Sequence, residues 1–228
     1  MNEANSQNTY TEFYLLDLDR TLLDTEKAAE LLRNAVSWHN AQLAILLGQK
    51  IEDYTLLGES FSMRDFILEQ VGEAETAKIE TKFIELAADQ DLLNTGAHEL
   101  IAYIRSKPGA GVGILTFGSP EGQAMKIAAA GMSDIPFLVT GETFKGEQIS
   151  SWRDERGIYN LPEELSGASA TTIVFVDDKP FSFKGLAGDC RGYWIHSLYD
   201  AGKEKIPSYV VPVEKLTDII QLERARTN

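Results

Sequence analysis

The sequence predicts a doubly wound α/β protein, a parallel sheet with helices on both faces, carrying one inserted α-helical domain. Three observations lead there. Short apolar runs recur at FYLLD (13–17), GVGILTF (111–117), PFLVTG (136–141), TTIVFVDD (171–178) and GYWIHS (192–197). Several are continuously apolar rather than alternating, as parallel strands covered on both faces must be. Helix-period segments separate them, while residues 25–93 show helical periodicity throughout and no good strand.

Each element has its own signal. Residues 99–105 put Leu100, Ile101 and Ile104 on one helical face. Residues 120–131 read as a helix with Ala124, Ile127 and Ala128 inward and Gly131 at its C-terminal end. Val213, Leu216, Ile219 and Ile220 mark a closing helix. In the inserted stretch Leu32, Val36, His39, Leu43 and Leu46 recur at spacings of four and three, as do Ile79, Phe83 and Leu86. Residues 1–11 are polar, lack the apolar core of a secretory signal, and are expected to be a disordered tail. The chain therefore divides into a tail (1–11), an α/β core (12–24 and 94–228) and an inserted helical cap (25–93).

Of the 228 residues, 43% are apolar and 25% charged, ordinary for a globular chain able to bury a full core. The formal net charge of −14 argues against nucleic acid or an anionic membrane surface as partner. Local cations can still admit a small anionic substrate. A single cysteine, Cys190, allows no intrachain disulfide and suits a reducing cytoplasm. No run approaches a membrane span, and no heptad is sustained enough to indicate an oligomer.

The chemistry concentrates at strand ends. FYLLDLDRTLLD delivers Asp17 and Asp19 from an apolar strand into a turn, and IVFVDDKP ends a second apolar strand in Asp177 and Asp178. Packing does not explain carboxylates there, since ionised groups must be solvated, paired or metal-bound. In an open parallel sheet ligands sit beyond the carboxyl ends of the strands, so the four acids should share one crevice. Two carboxylates about 4 Å apart repel by roughly 4 kcal/mol at an effective dielectric near 20. The cluster should therefore hold a divalent cation, and oxygen ligands without paired Cys or His point to Mg²⁺ rather than zinc.

The motif DLDRTL after its apolar strand resembles the first motif of the haloacid dehalogenase-like (HAD-like) superfamily, and three further motifs follow in order over residues 12–196. Thr116 in GILTFGSP matches the second, an apolar strand ending in Ser or Thr. Lys145 in TGETFKGEQ stands between Thr116 and Asp178, where the third requires a lysine. The family commonly has Lys-Pro there, whereas this chain has Lys-Gly. IVFVDDKP matches the fourth, with Asp177 where many members carry Gly. Arg20 likewise stands where the family often has Gly.

The resemblance implies a Mg²⁺-dependent phosphomonoester hydrolase with a helical cap. Asp17 would be the nucleophile that becomes an aspartyl-phosphate, and Asp19 the acid and base for the leaving group and water. Members that cleave carbon–halogen bonds lack the second acid. Thr116, with the N–H groups of Phe117 and Gly118, would hold a phosphoryl oxygen, and Lys145 would face its charge. Asp17, Asp19, Asp177 and Asp178 would hold the metal. Lys126 competes for the lysine role, and Lys179 is expected to turn to solvent. A cap that closes favours a small phosphate ester as substrate, which the core motifs do not name. The alternatives are a phosphomutase or phosphotransferase with the same chemistry, or a non-catalytic binding protein on this scaffold.

The remaining polar residues carry less. His39, His98 and His196 lack metal-ligand spacing and read as structural. Ser60 and Arg64 in the helical stretch have no motif behind them. Trp152 beside Arg153 and Arg156 reads as a packed aromatic next to a solvated charge run.

Overall fold

The computed structural model describes residues 9–57, 61–196 and 206–227. In chain order its strands are β1 (Thr9–Tyr10), β2 (Glu12–Leu16), β3 (Ala110–Phe117), β4 (Phe137–Thr140), β5 (Tyr159–Asn160), β6 (Ser169–Ala170), β7 (Ile173–Asp177), β8 (Arg191–Ile195) and β9 (Val210–Val213). Its helices are α1 (Thr25–His39), α2 (Ala41–Leu57), α3 (Met63–Val71), α4 (Glu73–Ala87), α5 (Ala97–Ser106), α6 (Pro120–Ala129), α7 (Lys145–Ser151) and α8 (Leu216–Thr227). Two compact units result. One comprises residues 1–22, 94–117 and 135–228, the other residues 23–93 and 118–134.

The first unit is built on a six-stranded sheet in the order β4-β3-β2-β7-β8-β9, every pair parallel. This is the α/β architecture the apolar runs predict. Period-two alternation sends Phe13, Leu15, Ile173 and Phe175 into one core with Leu115, Ile149, Phe183 and Trp194. Tyr14, Leu16, Val174 and Val176 face the other way and are also buried, which is why these strands read as unbroken apolar runs.

Two expectations are corrected here. Val213 belongs to β9, not to the closing helix; β9 contains Pro212, which hid it in the sequence and which an edge strand tolerates. Thr9 and Tyr10, expected in a disordered tail, instead form a strand that pairs with Ser169 and Ala170. A third adjustment concerns α6, where Met125, Ile127 and Ala129 are buried and Ala124 and Ala128 only half so.

A partly buried ion network ties the amino ends of β2 and β8 to the last helix. Glu223 on α8 is 2% exposed and accepts from Tyr14 (2.7 Å), Tyr193 (2.6 Å) and Arg191 (2.9 Å). Glu12 accepts from Lys107 (2.5 Å) and Arg191 (2.6 Å). Burial alone would raise the Glu223 carboxyl, but the two tyrosine hydroxyls and the charges of Arg191 and Lys107 outweigh it and hold it below the ordinary range.

The second unit is helical. Asp24 caps α1 by accepting from Lys27 N (3.0 Å), and Ser62 caps α3 by accepting from Asp65 N (3.3 Å). The outgoing and returning chains run together, with Asp24 N donating to Leu92 O (2.9 Å) and Leu23 bridging Leu93 antiparallel. Helix α6 packs on α3 and α4 within this unit, and the hydroxyls of Ser62 and Ser119 meet at 3.0 Å. Arg64 is engaged by Glu80 (2.6 Å) and Glu73 (3.4 Å), and His39 by Glu75 (3.4 Å). Ser60 lies outside the described residues. None of the helices among the described residues is long and apolar enough to cross a membrane.

Candidate active site

Sheet register builds the site. Leu16 pairs with Ile114 on one side and Val176 on the other, so Asp17, just past the end of β2, falls beside Asp177 at the end of β7. Asp17 N donates to Val176 O at 2.9 Å, extending the ladder to the aspartate itself. Thr116 comes from the neighbouring strand β3, and Asp178 directly follows β7. Residues far apart in sequence thus meet at the carboxyl ends of three adjacent strands.

One oxygen each from Asp17, Asp177 and Asp178 lies within 4.8 Å of the others, and all three residues are buried. Lys145, the first residue of α7 and 3% exposed, donates to Asp177 (2.8 Å) and also to Asp17. Lys179 N donates to the other oxygen of Asp177 (2.8 Å). Asp178 differs: it is fully buried and neither of its carboxylate oxygens has a hydrogen-bond partner among the described residues. The Thr116 hydroxyl is also buried, with no partner among the described residues.

The electrostatics follow from this crowding. Burial raises the Asp17 carboxyl, the charge of Lys145 opposes it, and Asp177 and Asp19 push it up again, so that it ends above its ordinary value. Asp178 is likewise raised, by burial first and then by Asp17 and Asp177. Burial would lower the Lys145 ammonium, but the two carboxylates it pairs with hold it above the usual lysine range. One buried cation facing three buried acids leaves an excess of negative charge. Asp178, with both oxygens unmatched, is where a cation of oxygen-ligand preference fits.

Not every expected residue joins this group. Asp19 stands outside the three-acid cluster, although its charge is felt at Asp17. Strand β2 ends at Leu16, and the chain then turns through Arg20, whose φ of 63° is left-handed, so period-two alternation no longer carries Asp19 alongside Asp17. The Asn94 side chain braces the turn by donating to the carbonyls of Arg20 and Thr21, each at 3.0 Å. Phe117 closes β3 in the first unit, and Gly118, with φ 149°, opens the segment that belongs to the second. Lys126, on α6, is in that second unit, whereas Lys145 touches the acids. Lys179 keeps its ammonium 5.9 Å from the Phe181 ring.

Two supports carried no sequence signal. Trp194 on β8 donates its indole N–H to the Asp178 carbonyl, and Asn94 acts on the first turn from residues well beyond the motif. Both depend on contacts between distant segments.

Solved structures share this architecture. A haloacid dehalogenase-like hydrolase from Burkholderia xenovorans aligns over 96% of this chain and 99% of its own, with TM-score 0.62 and 19% identity. The chain has the HAD-like fold. The HAD-hydrolase YfnB from Bacillus subtilis, described bound to magnesium, aligns over 94% and 98%, with TM-score 0.53 and 17% identity. CbbY from Rhodobacter sphaeroides, described in complex with phosphate, aligns over 92% and 96%, with TM-score 0.53 and 18% identity. HAD-like structures that match also include dehalogenases. No protein-family model matches the chain, and no curated protein sequence matches it.

Proposed function

We propose that the protein is a phosphomonoester hydrolase that acts on a small phosphorylated metabolite with Mg²⁺ and passes through a phosphorylated Asp17. The observation that carries this reading is the Asp178 carboxylate, fully buried and unpartnered beside Asp17 and Asp177. Burial of an unmatched acid is costly, and a divalent cation offsets that cost. Asp17, Asp177 and Asp178 offer only oxygen, the donor Mg²⁺ prefers. Bound there, Mg²⁺ would neutralise charge on the phosphoryl group. The magnesium and phosphate described for two proteins of the same fold support the assignment.

The steps use this chain's own groups. A carboxylate oxygen of Asp17 attacks phosphorus; the Asp17 O–P bond forms as the bond to the leaving oxygen breaks. Asp19, protonated at this stage, gives its proton to the departing alkoxide. Water then attacks the phosphorus, Asp19 takes a proton from it, and inorganic phosphate leaves with Asp17 restored. Lys145 balances charge at Asp17, and the unpartnered Thr116 hydroxyl donates to a phosphoryl oxygen, with the N–H groups of Phe117 and Gly118 as further donors. Displacement of halide from carbon needs no proton for its leaving group, so the second acid favours phosphate esters over haloacids. To the helical unit we assign the choice of substrate and the exclusion of water.

Mg²⁺-dependent phosphate release from p-nitrophenyl phosphate, then from a panel of phosphorylated metabolites, tests the reading. Asp17→Asn should abolish turnover, and Asp19→Asn should cut it by about 10²-fold or more. Transfer of the phosphoryl group to an added sugar hydroxyl instead of water would make the protein a phosphotransferase or mutase. Halide release from short 2-halo acids would make it a dehalogenase. Metal binding without any turnover would make it a binding protein.

A further inference from the structure

Gly146 follows Lys145 in the first turn of α7 and is buried. Its φ is not in the left-handed region, so nothing in the backbone conformation calls for glycine, and alanine is the better helix former. The requirement is spatial. A Cβ at this position would lie 2.6 Å from the Lys184 carbonyl oxygen, 2.9 Å from Leu186 N and 3.0 Å from the Phe183 carbonyl carbon. All three are backbone atoms, with no flexible side-chain end to swing aside. To admit a methyl group, α7 would have to retreat by about half an ångström in a close-packed interior. Proline, whose ring also carries a Cβ, meets the same obstacle.

The segment Gly146 touches is not arbitrary. It begins at the last residue of the 3₁₀ turn Pro180–Phe183, which itself follows Asp177 and Asp178. Further contacts stitch the two pieces together: Ser150 Oγ donates to Gly185 O (2.8 Å), and the Lys184 ammonium sits 3.8 Å from the Phe144 ring centroid. The helix carrying the lysine is therefore docked on the chain that carries two of the acids, backbone against backbone.

We propose that Gly146 is a positioning residue: its missing side chain lets α7 seat against Phe183–Leu186, and that seat fixes the Lys145 ammonium between Asp17 and Asp177. The functional part of this inference rests on the phosphatase reading; the structural part does not. Sub-ångström placement of a cation matters because its work on a phosphoryl group depends on preorganised geometry.

The experiment uses the full chain labelled with ¹⁵N-lysine. The Lys145 Nζ resonance, assigned by its loss in Lys145→Arg, should show slow hydrogen exchange in the parent protein. In Gly146→Ala it should shift and exchange at least tenfold faster, with the lysines outside this seam unchanged. Affinity for orthovanadate in the presence of Mg²⁺ should fall at least tenfold in Gly146→Ala, and Gly146→Ala should add no further loss once Lys145→Ala is present. An unchanged Lys145 resonance, or an equal vanadate loss in both backgrounds, overturns the proposal. A parent protein that binds no vanadate defeats the phosphatase reading instead, and the resonance alone then decides Gly146. Should Gly146→Ala fail to fold, Ser150→Ala loosens the same seam by removing the hydrogen bond to Gly185 O. That variant should displace the Lys145 resonance; no displacement overturns the proposal.

Discussion

Trp194 donates its indole N–H to the main-chain carbonyl of Asp178 over 2.9 Å. The ring is 3% exposed and His196 meets it edge-on at 4.6 Å, so the donor is held in place. It anchors the turn that presents the unpartnered carboxylate. Groups that orient a metal ligand typically change metal affinity by about 10–100-fold when lost. Trp194→Phe should weaken Mg²⁺ binding by about tenfold, read by calorimetry. An unchanged dissociation constant would mean the turn holds itself.

Asp178 should be a liability to the metal-free fold. Its carboxyl is raised above the ordinary range, so the folded state favours its neutral form, and its contribution to stability declines as pH rises from the usual carboxylate pKa toward the raised value. Asp178→Asn should therefore stabilise the protein in EDTA at neutral pH while removing the stabilisation that Mg²⁺ gives the parent. That stabilisation should reach about 2.7 kcal/mol at a hundred times the dissociation constant. Urea denaturation with and without Mg²⁺ gives both numbers; equal loss of stability in both conditions would count against the metal site.

Arg20 occupies the left-handed region, with φ 63°, in the turn between the two motif aspartates and the first helix. A residue with a Cβ costs roughly 1 kcal/mol there, and glycine does not, although glycine adds entropy to the unfolded chain. Arg20→Gly should raise the stability by up to about 1 kcal/mol, measured as a higher urea midpoint at unchanged slope. A lower midpoint would show that contacts of the arginine side chain outweigh the backbone cost.

The network around Glu223 sets the acid limit of the fold. Its folded pKa lies below the ordinary glutamate value, so its contribution is complete above that ordinary value and is lost as pH falls through the folded one. Glu12 is lowered in the same sense, because its bonds from Lys107 and Arg191 overcome its burial. Stability should fall steeply below about pH 4.5. Glu223→Gln should flatten that decline and cost about 2–4 kcal/mol at pH 7, since it leaves Arg191 and Lys107 short of a counter-charge. Denaturant titrations from pH 7 to pH 3 on both proteins give the comparison.

Much of this was legible in the chain itself. Unbroken apolar runs such as IVFV and FYLL mark strands buried on both faces, and acids at their ends are intelligible only as a site. β9 escaped because Pro212 disguises a strand whose identity depends on its place at the sheet edge. A strand-end DxD does not say which of its two acids faces the neighbouring strand: Asp17 joins Asp177 and Asp178, and Asp19 stands outside that cluster.

What the sequence determined by itself was local: which segments extend, which coil, and which acids stand at strand ends, because period and burial demand are properties of neighbouring residues. Only the tertiary structure decided that Lys145 meets Asp17 and Asp177, that Trp194 holds the Asp178 turn, and that Gly146 must lack a side chain. Those are distances between segments far apart in the chain. Sheet register and backbone docking set them, and neither leaves a pattern in the residues alone.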